Sequence, residues 1–297
     1  MWNINGFKAR SVSIQRLAEV KEDIEKLKRQ GLLDKHLADE IYLQFDYDVT
    51  VSLPGVQSLL IIAIPQPMTR ATFSWRNKVY TGDIPPTYIG KTDDARIKDT
   101  LTTIIGPDFK LVRVHLPVKT LAVKSGLAQY GKNNITYVPG FGSYHRLVAF
   151  ATDRSWQEDS WSESKMMKIC EACNKCRENC PTHCIPADRF LLHAENCLTW
   201  HNEREDDLVT WIKPEWHHML IGCMRCQLVC PVNRDQLNRI VPGVAFSEEE
   251  TTRFLQKPPW DTLSDETRRK LTEIAMDDSY EVLARNLEVL IKAQDLR

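Results

Sequence analysis

The tightest constraint on this chain is a run of cysteines, "CEACNKCRENCP", that begins at Cys170. Cys170, Cys173, Cys176 and Cys180 are spaced C-x2-C-x2-C-x3-C, and Pro181 follows. This spacing lets one loop set three sulfurs around a [4Fe-4S] cube and give the fourth to a neighbouring cluster. The proline turns the chain away from ordinary helix. A second stretch, "CMRCQLVCPVNR", supplies Cys223, Cys226 and Cys230 as C-x2-C-x3-C, again followed by proline, Pro231. Its missing first cysteine is supplied by Cys197, upstream in "ENCLTW". The exchange pattern then assigns Cys170, Cys173, Cys176 and Cys230 to one cluster. Cys180, Cys197, Cys223 and Cys226 go to the other. Two zinc sites are the alternative, but zinc usually takes its cysteines as two C-x2-C knuckles, a poor fit to two C-P runs. Eight of nine cysteines are used in this way. Cys184 is left over and is expected to be a small buried apolar side chain.

The rest of the composition narrows the class. The chain has 297 residues, 42% hydrophobic and 27% charged, as in a globular protein with a sizeable core. The formal net charge is -1, so no global basic excess is available to hold a polyanion. The N-terminal sequence has no signal-peptide run and no twin arginine, and no stretch approaches a membrane span. The expectation is a cytoplasmic protein, where thiols stay reduced and clustered cysteines read as metal ligands.

Periodicity divides the chain into three expected segments: residues 1–160, 161–242 and 243–297. The first mixes helices and strands, an α+β pattern. Helices are predicted over Ser13–Arg29, with Gly31 as stop, over Leu33–Phe45, and in "DDARIKDTLTTII", with Asp93 or Asp94 as cap. "SLLIIAIPQ" (Ser58–Gln66) reads as a buried strand, and a hairpin is expected around Arg76–Asn77. Strand, helix, strand-and-loop and strand follow in "KLVRVHLP", "VKTLAVKSGLAQ", "NITYVPGFGSY" and "RLVAFATD". The polar stretch Trp156–Lys165 reads as a linker. The last segment reads as short amphipathic helices from Phe246 onward, with Ser247 and Ser264 as caps.

Two linked cubanes carry electrons but bind no organic substrate, so the first segment is expected to hold the electron acceptor. "SGLAQYGKNNITYVPGFGSYHR" holds Gly126, Gly131, Gly140 and Gly142, four of the chain's 12 glycines. Glycines permit close backbone approach to a large ligand, and Lys132, Asn133, Asn134 and Ser143 offer polar groups. A turn, a strand and another turn is the plainer reading. No G-x-G-x-x-G and no P-loop occurs.

The order of "SGLAQYGKNN…PGFGS", "CEACNKCRENCPT", Cys197 and "CMRCQLVCPVNR" resembles the epoxyqueuosine reductase family, which is related to the reductive dehalogenases. The resemblance covers roughly Val112 to Arg234. It implies a nitroreductase-like corrinoid-binding domain, then a two-cluster ferredoxin-like domain and, in this chain, a short helical C-terminus. It also implies two [4Fe-4S] clusters that deliver electrons to base-off cobalamin, fed by a ferredoxin or flavodoxin. Gly131, Lys132, Asn133, Gly142, Ser143 and Tyr144 become the cofactor-binding candidates by that resemblance. The family's tRNA-modifying members carry an aspartate just before the "SG" helix. Here "VRVHLPVKTLAVKSG" has no carboxylate, and His115 is the titratable group nearest that place. His115, Tyr88 and Arg146 are the catalytic candidates. A satisfied strand-end histidine, a packed aromatic and a surface arginine are their plain counterparts. The charge run "NEREDD" (Asn202–Asp207) reads as a solvated loop.

The absence of a basic excess, of the aspartate and of a long helical array leads to the expectation of a small oxidised or halogenated substrate and weak tRNA binding. A tRNA epoxyqueuosine reductase is the alternative. An electron-transfer protein that reduces a partner's corrinoid is another, and a flavin enzyme on the same fold is a third.

Overall fold

The computed structural model of the protein describes residues 1–4, 6–41, 45–89, 93–156 and 159–296. In chain order the elements begin with β1 (Trp2–Ile4), β2 (Phe7–Ser13), α1 (Arg16–Arg29), α2 (Lys35–Ile41) and β3 (Ser58–Pro65). They continue with β4 (Met68–Trp75), β5 (Lys78–Ile84), α3 (Asp93–Ile105), β6 (Leu111–Val114) and α4 (Val118–Lys124). Next come β7 (Gln129–Tyr130), β8 (Thr136–Tyr137), β9 (His145–Thr152), α5 (Lys175–Glu178), α6 (Leu198–Glu203) and α7 (Arg225–Leu228). The chain closes with β10 (Ile240–Phe246), α8 (Glu248–Leu255), α9 (Asp265–Glu273) and α10 (Tyr280–Asp295).

Contacts group these elements into two units. The first comprises Met1–Pro65, Thr92–Asn174 and Ile185–Glu195; the second comprises Gln66–Lys91, Lys175–Cys184 and Asn196–Arg297. The units are assembled from separated stretches, along lines other than the consecutive segments 1–160, 161–242 and 243–297. The physical reason is the β4–β5 hairpin. It leaves the first unit's sheet after β3 and pairs with β10, far along the chain.

In the first unit, five antiparallel strands run in the order β1-β2-β3-β9-β6. The run "SLLIIAIP" is apolar throughout because β3 is covered on both faces. Leu59, Ile61 and Ala63 join α1 and α4 residues, among them Leu17, Val20, Leu121 and Ala122, in one core. Leu60, Ile62 and Ile64 join Ile97, Leu101 and Ile105 of α3 in another. The α4 end is held to α1 by Lys124, only 3% exposed, which pairs with Glu19 at 2.5 Å and Asp23 at 2.7 Å.

The second unit has a three-stranded sheet ordered β10-β4-β5, with β10 parallel to β4. The β4–β5 turn falls at Arg76–Asn77, as the alternation predicts. Both residues have φ of 50° and 60°, the two left-handed positions a two-residue hairpin turn needs. Phe73, Phe246, Phe254, Leu271, Leu283 and Leu287 form the core between this sheet and α8–α10. The outer edge of β5 is closed by Gln294 of α10, whose amide accepts from Thr81 N (3.1 Å) and donates to Thr81 O (2.8 Å).

Several sequence expectations need correction. The stretch Trp156–Lys165 is docked rather than a free linker, apart from residues 157 and 158, which lie outside the described residues. Asp159 accepts from Ser13 N and Arg16 Nε, and Trp161 donates to Glu19 at 2.8 Å. The predicted second helix is α2; its continuation through 42–44, and the residues immediately before Asp93 of α3, lie outside the described residues. The helix in "VKTLAVKSGLAQ" stops at Lys124, and Gly126 takes a left-handed φ of 72°. Among the elements with no counterpart in the sequence reading are two longer strands. The first is β2, although "FKARSV" alternates. The second is β10, whose Pro242 and Gly243 argue against a strand; they sit where the register shifts on an edge strand. Gly243 is required there, since a Cβ would stand 2.7 Å from Thr69 Cγ2.

The helix caps follow the sequence closely. Ser247 Oγ accepts from Glu250 N at 3.1 Å and Glu250 accepts from Ser247 N at 2.8 Å, a complete capping box. Ser264 Oγ accepts from Thr267 N at 3.1 Å. Ser247→Ala should therefore lower stability by about 1 kcal/mol in urea denaturation, since one orphan amide loses its acceptor.

Candidate functional site

The cysteine-bearing loops are short turns pinned by other parts of the chain. All nine cysteines are free thiols. Cys170 and Cys173 belong to the first unit; Cys176, Cys180, Cys184, Cys197, Cys223, Cys226 and Cys230 belong to the second. Among the described residues, no group of three or more His, Cys, Asp or Glu side chains is gathered as a single metal ion would require.

The set assigned to the second cluster lies wholly in the second unit. Cys197 stands at the N-terminus of α6, and Cys223 follows Gly222. Asn202 of α6 donates to Gly222 O at 2.8 Å. Asn286 of α10 donates to Asn202 O and Leu220 O, both at 2.9 Å. Arg285 donates to His201 O and Arg204 O, covering carbonyls at the end of α6. The run "NEREDD" is solvated as expected except at its first residue: Asn202 is 1% exposed, whereas Glu203, Glu205, Asp206 and Asp207 are exposed. Burial pushes the Cys223 thiol up to about 12, and the charges of Cys197 and Cys180 add to this.

Cys184 joins this group. Its Sγ lies 3.5 Å from Cys180 Sγ, within hydrogen-bonding distance for sulfur. That contact raises the Cys184 thiol and lowers the Cys180 thiol. The donor set fits a thiolate-ligated cluster, since all four of its members are sulfur.

Tyr88 is in the second unit, beside this sulfur group. Its hydroxyl donates to Glu203, and a Cβ on Gly222 would meet it at 2.6 Å. Desolvation, then the Glu203 charge, raises its pKa well above the ordinary value; the Cys197 and Cys223 charges add to this. Desolvation likewise raises Glu203, although the residue as a whole is exposed.

In the first unit, a cavity of about 550 Å³ opens beside the sheet. Its walls include Leu27, Phe45, Leu116, Leu147 and Phe190, and its polar groups include His115, Asn134 and Arg189. His115 follows β6, and its ring stacks obliquely on Phe45 with centroids 5.2 Å apart. Arg146 is not among the cavity's lining residues. On β9 it shares a face with Val148 and Phe150, while Leu147 and Ala149 face the cavity. Arg113 is its like-charged neighbour: burial first, then Arg146, lowers the Arg113 pKa.

The glycine-rich stretch is mostly interior. Gly131 packs against its own loop, where a Cβ would stand 2.5 Å from both Asn133 Oδ1 and Tyr137 Cε2. Asn133, 2% exposed, donates to Tyr137 Oη at 3.1 Å. Ser143 and Tyr144 are buried, and Gly142 O accepts from the buried His145. Lys132 Nζ donates to Cys173 O and Asn174 Oδ1, both at 3.0 Å, and so fastens the first cysteine loop. Of this stretch, Tyr130 and Asn134 line the cavity. The sequence reading noted Asn134 only as a donor, and it missed Phe45, Arg189 and Phe190. Their one signal was the apolar spacing of the segments that carry them.

The fold and the sulfur pattern together define a class. Residues 169–233 match the family of 4Fe-4S double cluster binding domains. The chain resembles the epoxyqueuosine reductases in sequence and in fold. It is 29% identical to the epoxyqueuosine reductase of Listeria monocytogenes over 38% of this chain and 29% of that protein. It is 33% identical to the enzyme of Synechococcus sp. CC9605 over 40% of this chain and 36% of the relative. The matched stretches thus span about a third of these relatives' length. In fold, the epoxyqueuosine reductase of Streptococcus thermophilus matches 98% of this chain and 78% of its own, with a TM-score of 0.65 at 18% identity. A structure of the Bacillus subtilis enzyme, with its catalytic aspartate loop swung out of the active site, covers the same shares, with a TM-score of 0.66 at 18% identity.

Two measurements test the site. Anaerobically reconstituted protein should hold about eight iron per chain, and Cys197→Ala about four, by iron assay and EPR. Zinc in place of iron would overturn the assignment. The second concerns His145, whose burial lowers its pKa to about 4 from an ordinary 6.5. The neutral ring is favoured in the fold, so its contribution is complete above pH 6.5. It falls as acid protonates the unfolded chain between pH 6.5 and 4, by about 3 kcal/mol at most. His145→Gln should flatten the acid-side loss of Tm in that window.

Proposed function

We propose that the chain is a cobalamin-dependent iron–sulfur oxidoreductase that reduces the epoxyqueuosine base of a tRNA anticodon stem. The observation that carries this reading is the double-cluster domain at 169–233, set in a chain whose curated relatives are epoxyqueuosine reductases. An epoxyqueuosine reductase with a TM-score of 0.64 to this chain has been solved with an epoxyqueuosine-modified tRNA-Tyr stem loop. This support favours the tRNA base over the small oxidised or halogenated substrate expected from the charge balance. Net charge is a property of the whole surface, and a value of -1 leaves room for a local basic patch.

The reaction converts an epoxide to an alkene and consumes two electrons and two protons, releasing one water. Bound cobalamin supplies a low-potential reductant, and the clusters supply one-electron steps from a ferredoxin or flavodoxin. The chain's own contribution is position, a proton and exclusion of water. The apolar walls around Phe45, Leu116 and Phe190 suit a large flat ligand, and His115 is the candidate to hold and deliver a proton at a ring nitrogen. Lys132 holds the first cysteine loop through its bonds to Cys173 O and Asn174 Oδ1. Among the described residues, no helix is long and apolar enough to cross a membrane.

The test is single-turnover deoxygenation. Reconstituted protein, cobalamin and a chemical reductant are incubated anaerobically with an epoxyqueuosine-bearing stem loop, and released nucleosides are read by mass spectrometry. Loss of one oxygen is expected, with salt-sensitive binding of the stem loop. His115→Gln should slow conversion by about 100-fold or more while iron content and cobalamin binding persist. An inert stem loop alongside turnover of a small organohalide would return the substrate to the small-molecule class.

A further inference from the structure

Cys184 is the one cysteine the cluster assignment leaves over, and its position is specific. After Cys180 the chain turns through Pro181, Thr182 and His183, and His183 takes a left-handed φ of 53°. His183 N donates back to Cys180 O at 3.2 Å. This tight return brings Cys184 Sγ to 3.5 Å from Cys180 Sγ, within hydrogen-bonding distance for sulfur. The side chain is 3% exposed, so water does not compete for it. Its neighbour is a sulfur that spacing assigns to the second cluster.

A ligating cysteine must lose its proton. Once Cys180 holds iron it is an acceptor only, and Cys184 is the thiol of the two that keeps a hydrogen to donate. A donor aimed at ligand sulfur withdraws negative charge from the cluster. It therefore favours the reduced, more negative form. We propose that Cys184 is a positioning residue of the second cluster: a neutral thiol that donates to the Cys180 sulfur and holds that cluster's reduction potential above the value the four ligands alone would give. The proposal rests on the reading of Cys180, Cys197, Cys223 and Cys226 as ligands of one [4Fe-4S] cluster. Its consequence is directional: the second cluster is easier to reduce than the same cluster would be without the Cys184 donor.

The experiment compares the full-length protein with Cys184→Ala and Cys184→Ser. Both variants are close in volume to cysteine; serine keeps a donor and alanine does not. All three are reconstituted anaerobically, assayed for iron and titrated with EPR detection of each reduced cluster. Iron should remain at about eight per chain in all three. Cys184→Ala should lower one potential so that the oxidised-to-reduced ratio at fixed potential rises by about threefold to tenfold, tenfold being 59 mV for a one-electron couple. Cys184→Ser should restore that potential to the wild-type value or above it, and the second cluster signal should stay fixed throughout. Unmoved potentials in Cys184→Ala, or identical shifts in the alanine and serine variants, would overturn the proposal. Loss of about four iron in Cys184→Ala would also overturn it, by making Cys184 a ligand. Wild-type protein that lacks two cubane signals would instead remove the cluster reading itself, and the tuning role with it.

Discussion

The sulfur group of the second unit depends on one buried amide. Asn286, fully enclosed in α10, gives both of its side-chain hydrogens to carbonyls: one on Asn202 of α6, one on Leu220 before Cys223. Asn202 passes the link on to Gly222. Cys197 and Cys223 are thereby positioned by a helix that contains no cysteine. Buried polar groups of this kind tolerate little, because an unmade hydrogen bond in the interior costs its full desolvation. Arg285, next in the chain, holds the end of the same cysteine-bearing helix by its carbonyls. The C-terminal helix is thus a scaffold for metal chemistry as well as a cover for the β10-β4-β5 sheet.

The first unit solves a different problem. Its cavity sits against one face of the sheet, where the small Ala149 and the half-buried Leu147 leave space that Phe45, Leu27 and Phe190 wall in. His115 reaches this space because β6 ends at Val114 and the chain leaves the sheet there. The rigid, doubly covered β3 and the Lys124–Glu19–Asp23 clamp fix the frame from which that loop emerges. Preorganisation of this sort matters most for a proton donor, whose distance to its target decides its use.

Lys132 and Tyr88 both carry contacts that their residue type alone does not specify. Lys132 is a donor, as expected, and its partners are the backbone and side chain of the first cysteine loop. Tyr88 is a phenol in a desolvated place in the second unit, and it donates to Glu203. Each is thereby tied to a cysteine-bearing part of the chain, Lys132 through the Cys173 carbonyl and Tyr88 through the α6 helix that Cys197 begins.

The sequence by itself determined the elements whose signals are local. The cysteine spacing carries the metal class, because the ligand geometry of a cubane is imposed on neighbouring residues. The apolar run of β3, the two-residue turn at Arg76–Asn77 and the capping serines at 247 and 264 are likewise written within a few residues of where they act. Only the tertiary structure decided the rest. It put β10 beside β4 across more than a hundred residues, despite Pro242 and Gly243. It drew Asn202 inside, turned Arg146 to the face away from the cavity, closed the glycine-rich loop on itself and set Cys184 against the Cys180 sulfur. These outcomes depend on which distant surfaces pack together. A side chain's neighbours across a sheet or between helices come from packing and desolvation over the whole unit, and no window of sequence contains them.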